Sequence, residues 1–201
     1  LINHKNINRI SDRELIELRK MNGFVFQDGA LWQNKTIFQN LSLPLEFHFR
    51  SFSREEIRRR IEVMVRKAGY NDSLSLRPSQ LSSGERKIAS IARALITDPS
   101  ILFMDDPTTL LDRESSIKVV KIIKEMKEKK ATIVITTHDP SLASMVADNL
   151  YILKKGTMLE HGKLSDVVKT RDKEVIAILT DVLSATATYD TDILDLLETD
   201  E

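Results

Sequence analysis

The chain has 201 residues, 41% of them hydrophobic and 30% charged, which is enough for one sizeable core and short for two. Its 30 basic and 30 acidic side chains cancel to a formal net charge of zero, so no overall basic field favours nucleic acid as a partner. The absence of cysteine excludes a disulfide framework and a cysteine nucleophile. No apolar run approaches the ~18 residues that cross a bilayer, so we expect a soluble cytoplasmic chain without a membrane span.

The hydrophobic pattern predicts helices that alternate with strands. Ser11 or Asp12 caps a first short helix, the apolar residues 28–49 form a loop, and Ser53 with Glu56 makes a capping box for a helix that Gly69 ends. The other predicted elements are a strand at 23–27, a strand at 101–104, a helix at 113–129, a strand at 131–137, a helix at 140–147, a hairpin that turns at Lys155-Gly156, and helices from Leu164 to an acidic tail. Such alternation predicts a mainly parallel α/β sheet that helices cover on both faces.

The stretch LSSGERKIASIARALITDPSILFMDDP, residues 81–107, places small polar residues before a predicted helix. A helix N-terminus presents unpaired N–H groups and partial positive charge, and small residues there let an anion approach the backbone. Ser82, Ser83 and Gly84 are therefore a candidate phosphate contact. Serine is equally an ordinary helix N-cap, so the pattern alone leaves both interpretations open.

The same stretch ends on two carboxylates. Residues 101–104 form a buried strand, and Asp105 emerges at its carboxyl end, where α/β sheets bind ligands. A carboxylate there can hold Mg²⁺, and the adjacent Asp106 can orient or deprotonate a water molecule. The alternative is that both carboxylates cap the next turn, because DDPTT is also favourable turn chemistry.

Five segments together resemble the conserved motifs of ATP-binding cassette (ABC) ATPases. Asp105 lies 24 positions after Leu81, and His138 lies 33 positions after Asp105, which are the spacings of that family. The segments that match the Q-loop, signature, Walker B, D-loop and H-loop are Gln27, LSSGE, ILFMDDP, TTLLD and VITTHD. The resemblance implies a P-loop NTPase-like ABC ATPase domain over residues 1–162, with a helical subdomain at about 38–95 and a C-terminal helical extension at 163–201. It also implies ATP and Mg²⁺ as ligands, and a dimer.

The resemblance assigns roles around the hydrolysed phosphate. Gln27 matches the glutamine that contacts Mg²⁺ and the attacking water, and Asp105 matches the Walker B aspartate that holds Mg²⁺. Asp106 stands where the family usually has a glutamate that polarises water, and His138 matches the switch histidine near the γ-phosphate. The implied reaction is phosphoryl transfer to water by positioning and electrostatics.

Further roles concern a second copy. The signature motif of the family binds the ATP of the opposite subunit, and Ser82 and Gly84 match its residues. Ser83 lies between these two residues, and Glu85 follows them. Asp112 matches the D-loop aspartate that links the two sites across the dimer. The composite site implied by the family is therefore complete only after dimerisation.

Several residues depart from the family pattern. Ser83 replaces the first signature glycine, Glu85 replaces a common glutamine, and Asp106 is one methylene shorter than glutamate. The P-loop pattern G-x-x-x-x-G-K-S/T occurs nowhere among the six glycines. We therefore expect a chain whose N-terminal part is missing and which, alone, binds ATP poorly and is inactive.

The segment after Gln27, DGALWQNKTIFQNLSLPLEF, resembles the ATPase subunits of MCE (Mla-type) lipid transport systems. Its apolar residues suit a groove for the coupling helix of a membrane permease, which would place the protein at the cytoplasmic face of the cell membrane. The alternative is a non-hydrolysing or regulatory partner that contributes only its signature motif in trans. The sequence gives neither the cargo nor the direction of transport.

Overall fold

The computed structural model describes residues 6–179. This part of the chain divides into two compact units, one that ends at Thr136 and one that begins at Thr137. Short 3-10 turns occur at Ile7–Arg9 and Pro78–Gln80. In chain order, the first unit contains α1 (Asp12–Met21), β1 (Asn22–Val25), α2 (Ile37–His48), α3 (Arg54–Ala68), α4 (Ser83–Leu95), β2 (Ile101–Asp105), α5 (Arg113–Glu128) and β3 (Thr132–Thr136).

The strands β1, β2 and β3 form a parallel sheet with β2 in the centre. One face is buried: Val25, Leu102 and Met104 are almost inaccessible to solvent, and α4 lies against β1 while α5 lies against β3. The predicted parallel α/β architecture is confirmed.

The prediction that helices cover both faces of the sheet is wrong for the described residues. Phe24, Phe103 and Val134 occupy one row across the other face, because the register pairs each with the next. Phe24 and Val134 remain close to half exposed, while the Phe24 and Phe103 rings stack at 5.2 Å between centroids. The alternating burial along these strands is therefore that of a sheet with one covered face.

The helix ends follow the capping chemistry of the sequence. Ser11 caps α1 with a complete capping box, and Gly69 ends α3 with a left-handed φ of 79°, both as predicted. Ser53 caps α3 by accepting a hydrogen bond from the Glu56 N–H at 3.1 Å. The reciprocal half of the predicted box is replaced, since the Glu56 carboxylate pairs with Arg60 at 3.2 Å.

The helix α2 corrects the predicted loop at residues 28–49. Thr36 and Gln39 form a complete capping box at its start, and the buried Asn40 side chain bonds to Trp32 at 2.8 Å and to Thr36 at 3.0 Å. Pro44 lies inside the helix, where it lacks the N–H that would bond to residue 40. Burial of Leu41 and Leu45 between α2 and its neighbours offsets that loss, so packing prevails over local propensity.

The second unit begins after β3. It contains α6 (Pro140–Val146), the antiparallel strands β4 (Asn149–Lys154) and β5 (Thr157–Lys163), α7 (Leu164–Val167), and helical residues 173–179. The predicted hairpin is confirmed: Lys155 and Gly156 have φ angles of 47° and 78°, which a two-residue turn of this kind requires. Its core consists of Ile152, Val167, Val175 and Leu179.

No helix within residues 6–179 is both long and apolar enough to cross a membrane. The predicted acidic tail lies outside the described residues. The predicted division into residues 1–162 and 163–201, with a helical subdomain at about 38–95, stays a prediction.

Candidate active site

The carboxyl ends of β1 and β2 meet at one edge of the sheet, because the two strands run parallel with Val25 opposite Met104. Gln27 follows β1 by two residues, while Asp105 ends β2 and Asp106 follows it. Gln27 is exposed and both aspartates are half-buried. Three of the predicted site residues therefore share the edge where α/β sheets bind ligands.

Asp105 is oriented by the neighbouring strand. The Thr136 hydroxyl donates to its Oδ1 at 2.5 Å, and the register places these two residues side by side. Within the described residues, no group of three or more His, Cys, Asp or Glu side chains is placed to hold a metal ion. Mg²⁺ needs no such group, because it usually takes one or two carboxylates together with waters and substrate phosphates. Asp105 and the amide oxygen of Gln27 are suitable oxygen donors for it.

The peptide that joins Asp105 to Asp106 is held through its N–H. The Asp106 N–H donates to the Thr136 carbonyl at 2.9 Å. Asp106 has a φ of 43°, in the left-handed region where aspartate is among the few tolerated residues. Its carbonyl accepts from the Thr109 N–H at 3.3 Å, so DDPTT also forms the predicted turn. The turn and the active-site interpretation are compatible, because the turn uses the backbone.

Lys87 of α4 is a buried cation at the same edge, with 2% of its surface exposed. Its Nζ donates to the Gln27 carbonyl at 2.7 Å, to the Phe26 carbonyl at 3.2 Å and to the Asp105 carbonyl at 3.5 Å. Burial lowers the pKa of Lys87, and the charges of Asp106, Asp105 and Asp28 act in the opposite direction. Lys87 thereby connects the first part of α4 to the carboxyl ends of β1 and β2.

The loop after Gln27 is tightly turned and attached to the same helix. Gly29 and Ala30 both have positive φ, and the Asp28 carboxylate accepts from the Ala30 N–H at 3.0 Å. Arg93 donates to the Ala30 carbonyl at 2.8 Å and to the Gly29 carbonyl at 3.1 Å. Burial lowers the pKa of Arg93, opposed by the charge of Asp28. Two cations on α4 thus bind the backbone of one loop.

The predicted phosphate-contact residues start α4. Ser82 is its N-cap: the Ser82 hydroxyl accepts from the Glu85 N–H at 3.2 Å, and the Glu85 carboxylate accepts from the Ser82 N–H at 2.6 Å. The Ser82 N–H and then the Ser82 hydroxyl, both acting on this carboxylate, lower the pKa of Glu85. Ser83 and Gly84 are the first two residues of the helix. The N-cap interpretation is confirmed, and the exposed Ser82 still presents a helix N-terminus.

Gly84 lies at a close approach between two segments. A Cβ at this position would lie 3.1 Å from the Leu110 carbonyl oxygen, closer than ordinary van der Waals contact. Leu110 itself has a φ of 70° and is 62% exposed. The turn that precedes α5 therefore packs directly on the start of α4.

Asp112 is the N-cap of α5. Its Oδ1 accepts from the Ser115 N–H at 2.7 Å, and this bond is the main reason why the pKa of Asp112 is lowered. The carboxylate is exposed. Its predicted role across a dimer stays a prediction.

His138 belongs to the second unit. It is exposed and precedes Asp139, the N-cap of α6. The Asp139 N–H donates to the Thr137 hydroxyl at 3.0 Å, which fixes the backbone on both sides of the histidine. Its predicted role beside the γ-phosphate stays a prediction.

Sequence reasoning missed Lys87, Arg93 and Thr136. The signal for the two cations was their position in KIASIARAL, where the other residues are small or apolar. A helix that is apolar on nearly all sides is buried, so a charge within it must find partners inside the protein. Thr136 had no sequence signal beyond its place at the end of a strand.

Comparison with known proteins places these features in a family. The family model described as ABC transporter matches residues 1–109. The methionine import ATP-binding protein MetN 2 of Bacillus cereus is 32% identical over 188 residues, which cover 90% of this chain and 55% of that protein. MetN of Carboxydothermus hydrogenoformans is 33% identical over 162 residues, covering 80% and 48%. The chain belongs to the ABC transporter family, as an ATPase domain, and spans about half the length of the curated relatives it matches.

The fold comparison agrees. A dimeric ATP-binding cassette in a post-hydrolysis state, bound to ADP and Pi, matches with a TM-score of 0.74 and 34% identity, covering 81% of this chain and 72% of that one. A second dimeric structure of a bacterial ABC transporter cassette matches with a TM-score of 0.72. These matches confirm the predicted ABC ATPase fold. They give no support to the predicted resemblance to MCE lipid systems, because the relatives compared are named for methionine import.

Proposed function

We propose that this chain is the ATP-binding and ATP-hydrolysing part of an ABC transporter subunit. The observation that carries the proposal is the position of Asp105 and Asp106 at the carboxyl end of the central strand, oriented by β3 on one side and close to the loop of Gln27 on the other. ATP hydrolysis needs a cation and a water molecule aligned with the phosphate, and these residues have the oxygen ligands for both tasks.

Each residue at this edge has a separate task. Asp105, with Gln27, would hold Mg²⁺, which neutralises charge on the phosphate oxygens. Asp106 would orient the attacking water through its carboxylate, whose position follows from the fixed peptide before it. His138 would contact the γ-phosphate, as the switch histidine of the family does. All four assignments are proposals supported by the family and by residue chemistry.

The signature turn, which we define as Ser82–Glu85, would complete the site of a second copy of the chain. Its exposed Ser82 and the helix N-terminus behind it suit the γ-phosphate of a nucleotide held by the other copy. Asp112, exposed at the start of α5, would connect the two sites across the same interface. The dimeric cassettes with the same fold support this arrangement.

The segment after Gln27 is the proposed contact with a membrane permease. Trp32 and Phe47 are 54% and 53% exposed, at the two ends of the segment that contains α2. Aromatic side chains are enriched in protein interfaces relative to the rest of the surface. We propose that they receive a cytoplasmic helix of the permease, which would place the protein at the inner face of the cell membrane.

Methionine is the first cargo to test, because the curated relatives are methionine import proteins. The lipid cargo expected from the sequence has no support among them. Cells that lack the gene should lose uptake of radiolabelled methionine if the transporter is an importer of this kind. Unchanged methionine uptake together with altered outer-leaflet phospholipid would instead restore the lipid hypothesis.

The rival function is a non-hydrolysing partner, which the short side chain of Asp106 favours. Because the P-loop pattern is absent from the 201 residues, the test uses the longest product of the gene. We expect Mg²⁺-dependent phosphate release that Asp106→Asn abolishes. Release at background level in the wild type, or release unaffected by Asp106→Asn, would contradict hydrolysis at this site.

A further inference from the structure

Lys87 occupies an unusual position for a lysine. Its side chain is buried, and its three N–H donors face the backbone carbonyls of Gln27, Phe26 and Asp105. Two of these acceptors follow β1 and the third ends β2. The Lys87 ammonium group therefore binds the carboxyl ends of both β1 and β2. The proposed active-site side chains of Gln27, Asp105 and Asp106 lie at these same two strand ends.

Burial of a cation is costly, and an apolar residue of similar length would pack in the same space without that cost. The cost is met here by three carbonyl dipoles and by the nearby charges of Asp106, Asp105 and Asp28. These partners all belong to the strand ends and the loop that follows Gln27. The location of the charge thus points to a task at this edge of the sheet.

The peptide between Asp105 and Asp106 shows what that task is. Its C=O accepts from the Lys87 Nζ, and its N–H donates to the Thr136 carbonyl. Because a peptide unit is planar, fixing both groups fixes the orientation of the whole unit. The direction of the Asp106 side chain is then set by its φ of 43° and by one side-chain rotation.

We propose that Lys87 is a positioning residue for ATP hydrolysis, which holds the Gln27 loop and the Asp105–Asp106 peptide at a fixed separation. This role rests on the proposed function. The Lys87 Nζ donates to the backbone carbonyls of Gln27 and Asp105, so it acts through the Gln27 loop and the peptide that precedes Asp106. It also makes α4, whose first turn is the signature turn, part of the same rigid connection.

Arg93 supplies a matched control on the same helix. It is a half-buried cation that also donates to two backbone carbonyls, those of Gly29 and Ala30. Both of its acceptors lie in the loop after Gln27, whereas Lys87 also reaches the end of β2. A general effect of removing a cation from α4 should appear in both variants, whereas displacement of the Asp105–Asp106 peptide should appear only in Lys87→Met.

The first experiment measures phosphate release against Mg-ATP concentration in the longest gene product, for wild type, Lys87→Met and Arg93→Met. We expect Lys87→Met to lower kcat by about 10- to 100-fold, the cost of misplacing a catalytic group by ~1 Å. KM should change by less than about threefold, because nucleotide binding is not altered. Arg93→Met should lose distinctly less kcat. An equal loss in both variants, or a loss confined to KM, would overturn the proposal.

The second experiment does not need turnover. Hydrogen exchange, followed by mass spectrometry, reports on peptides that cover residues 24–30 and 103–108. Lys87→Met should accelerate exchange in both, and Arg93→Met only in the first. If the wild type releases no phosphate, the proposed function fails and exchange alone decides on Lys87. Acceleration confined to residues 24–30 in Lys87→Met would then refute the link between the strands.

A rescue variant covers the case in which Lys87→Met does not fold. The 201 residues contain no cysteine, so Lys87→Cys introduces the single thiol of this part of the longest gene product. In denaturant, the thiolate displaces bromide from 2-bromoethylamine and forms a C–S bond, which restores an ammonium at lysine length. Refolded, alkylated protein should regain at least part of the lost kcat relative to the unalkylated variant, with treated wild type as control. No gain would contradict the role of the charge.

Discussion

The strand-end cluster, which consists of Gln27, Lys87, Asp105 and Asp106, is held by hydrogen bonds between distant parts of the chain, whereas the signature turn is held by bonds within itself. Lys87 and Gln27 are 60 residues apart, and Thr136 and Asp105 are 31 apart. In the signature turn, Ser82 and Glu85 bond to each other across three residues. The two parts of the proposed site therefore depend on different levels of structure.

The difference has a functional meaning. A turn that satisfies its own backbone groups can be presented to another molecule without rearrangement, as the proposed trans role of Ser82 demands. The strand-end cluster must instead align several groups within one molecule, and only the assembled sheet brings them together. Substitutions in the cluster should thus affect hydrolysis strongly, and substitutions in the turn should chiefly affect the stability of α4 and the contact with a second copy.

Asp106→Asn is expected to have the largest effect. The amide retains the shape and tolerates the positive φ of 43°, but it is a weak base and orients water poorly. We expect phosphate release in the longest gene product to fall by about 100-fold or more, with Mg-ATP binding preserved. Release and equilibrium nucleotide binding are the two measurements.

The control for this prediction is Asp105→Asn. It removes the charge that would hold Mg²⁺, so binding in the presence of Mg²⁺ and hydrolysis should weaken together. If both variants had the same effect on nucleotide binding, the separate roles of the two aspartates would be wrong.

Local capping chemistry was the most predictable part of this molecule. Ser11 caps the start of α1 and Gly69 caps the end of α3, both as expected, because a cap depends on a few adjacent residues. The edge that gathers Asp105 and the Gln27 loop could also be predicted, since the carboxyl ends of neighbouring parallel strands share one edge of a sheet.

What the sequence did not reveal depends on tertiary packing. A loop was predicted at residues 28–49, yet buried Leu41 and Leu45 keep α2 intact around Pro44. The sequence does not distinguish Lys87 from an exposed lysine. Only the fold shows that its charge is buried against two strand ends. Glu56 pairs with Arg60 instead of its helix cap, a choice between two local partners that the pattern S-x-x-E does not settle.

Gly84→Val tests the contact between the signature turn and the turn before α5. The added Cβ would meet the Leu110 carbonyl at 3.1 Å, so the turn before α5 must shift. We expect a loss of about 1–3 kcal/mol in the free energy of unfolding, the usual cost of overpacking. Urea denaturation measures it, with Ser83→Val as the neighbouring control. An equal effect at both positions would show that helix propensity, and not the contact, is responsible.

Asp106→Glu asks whether the backbone has adapted to the shorter side chain. Glutamate is the usual residue of the family, and its longer reach would favour hydrolysis. At a φ of 43°, however, a side chain without the local hydrogen bonding of aspartate costs about 1–2 kcal/mol. We therefore expect a less stable protein in thermal unfolding, with hydrolysis raised only if the peptide keeps its bonds. A gain in hydrolysis with unchanged stability would mean that the strained turn is unrelated to the aspartate.

Ser82→Ala removes the N-cap of α4. The Glu85 N–H loses its acceptor, which should reduce the free energy of unfolding by about 1 kcal/mol. Ser53→Ala is the matched control, because Ser53 caps α3 through the same bond to Glu56. Both variants should lose similar stability in urea denaturation, but only Ser82→Ala should reduce phosphate release. Equal release in the two would limit Ser82 to its capping role.

Glu85→Gln should have the smallest effect, and one that depends on pH. The folded protein lowers the pKa of Glu85, chiefly through the Ser82 N–H and then through the Ser82 hydroxyl. The ionised carboxylate therefore stabilises the folded protein above the unfolded pKa of 4.5. This stabilisation is lost as pH falls through the lower pKa of the folded protein. Asp72 acts in the opposite sense, since limited desolvation and its hydrogen bond with Glu85 raise the pKa of Asp72.

Glutamine keeps an oxygen for the Ser82 N–H but carries no charge at the positive end of α4. Above pH 5 the wild type should exceed Glu85→Gln by about 0.3–1 kcal/mol in the free energy of unfolding, the contribution of an exposed charge at a helix N-terminus. As pH falls below 4.5 this advantage should decline, because the Glu85 carboxylate becomes protonated. Urea denaturation at several pH values measures the difference, with Asp72→Asn to remove the opposing group. A difference that stays constant over this range would show that the capping bond, and not the charge, stabilises the signature turn.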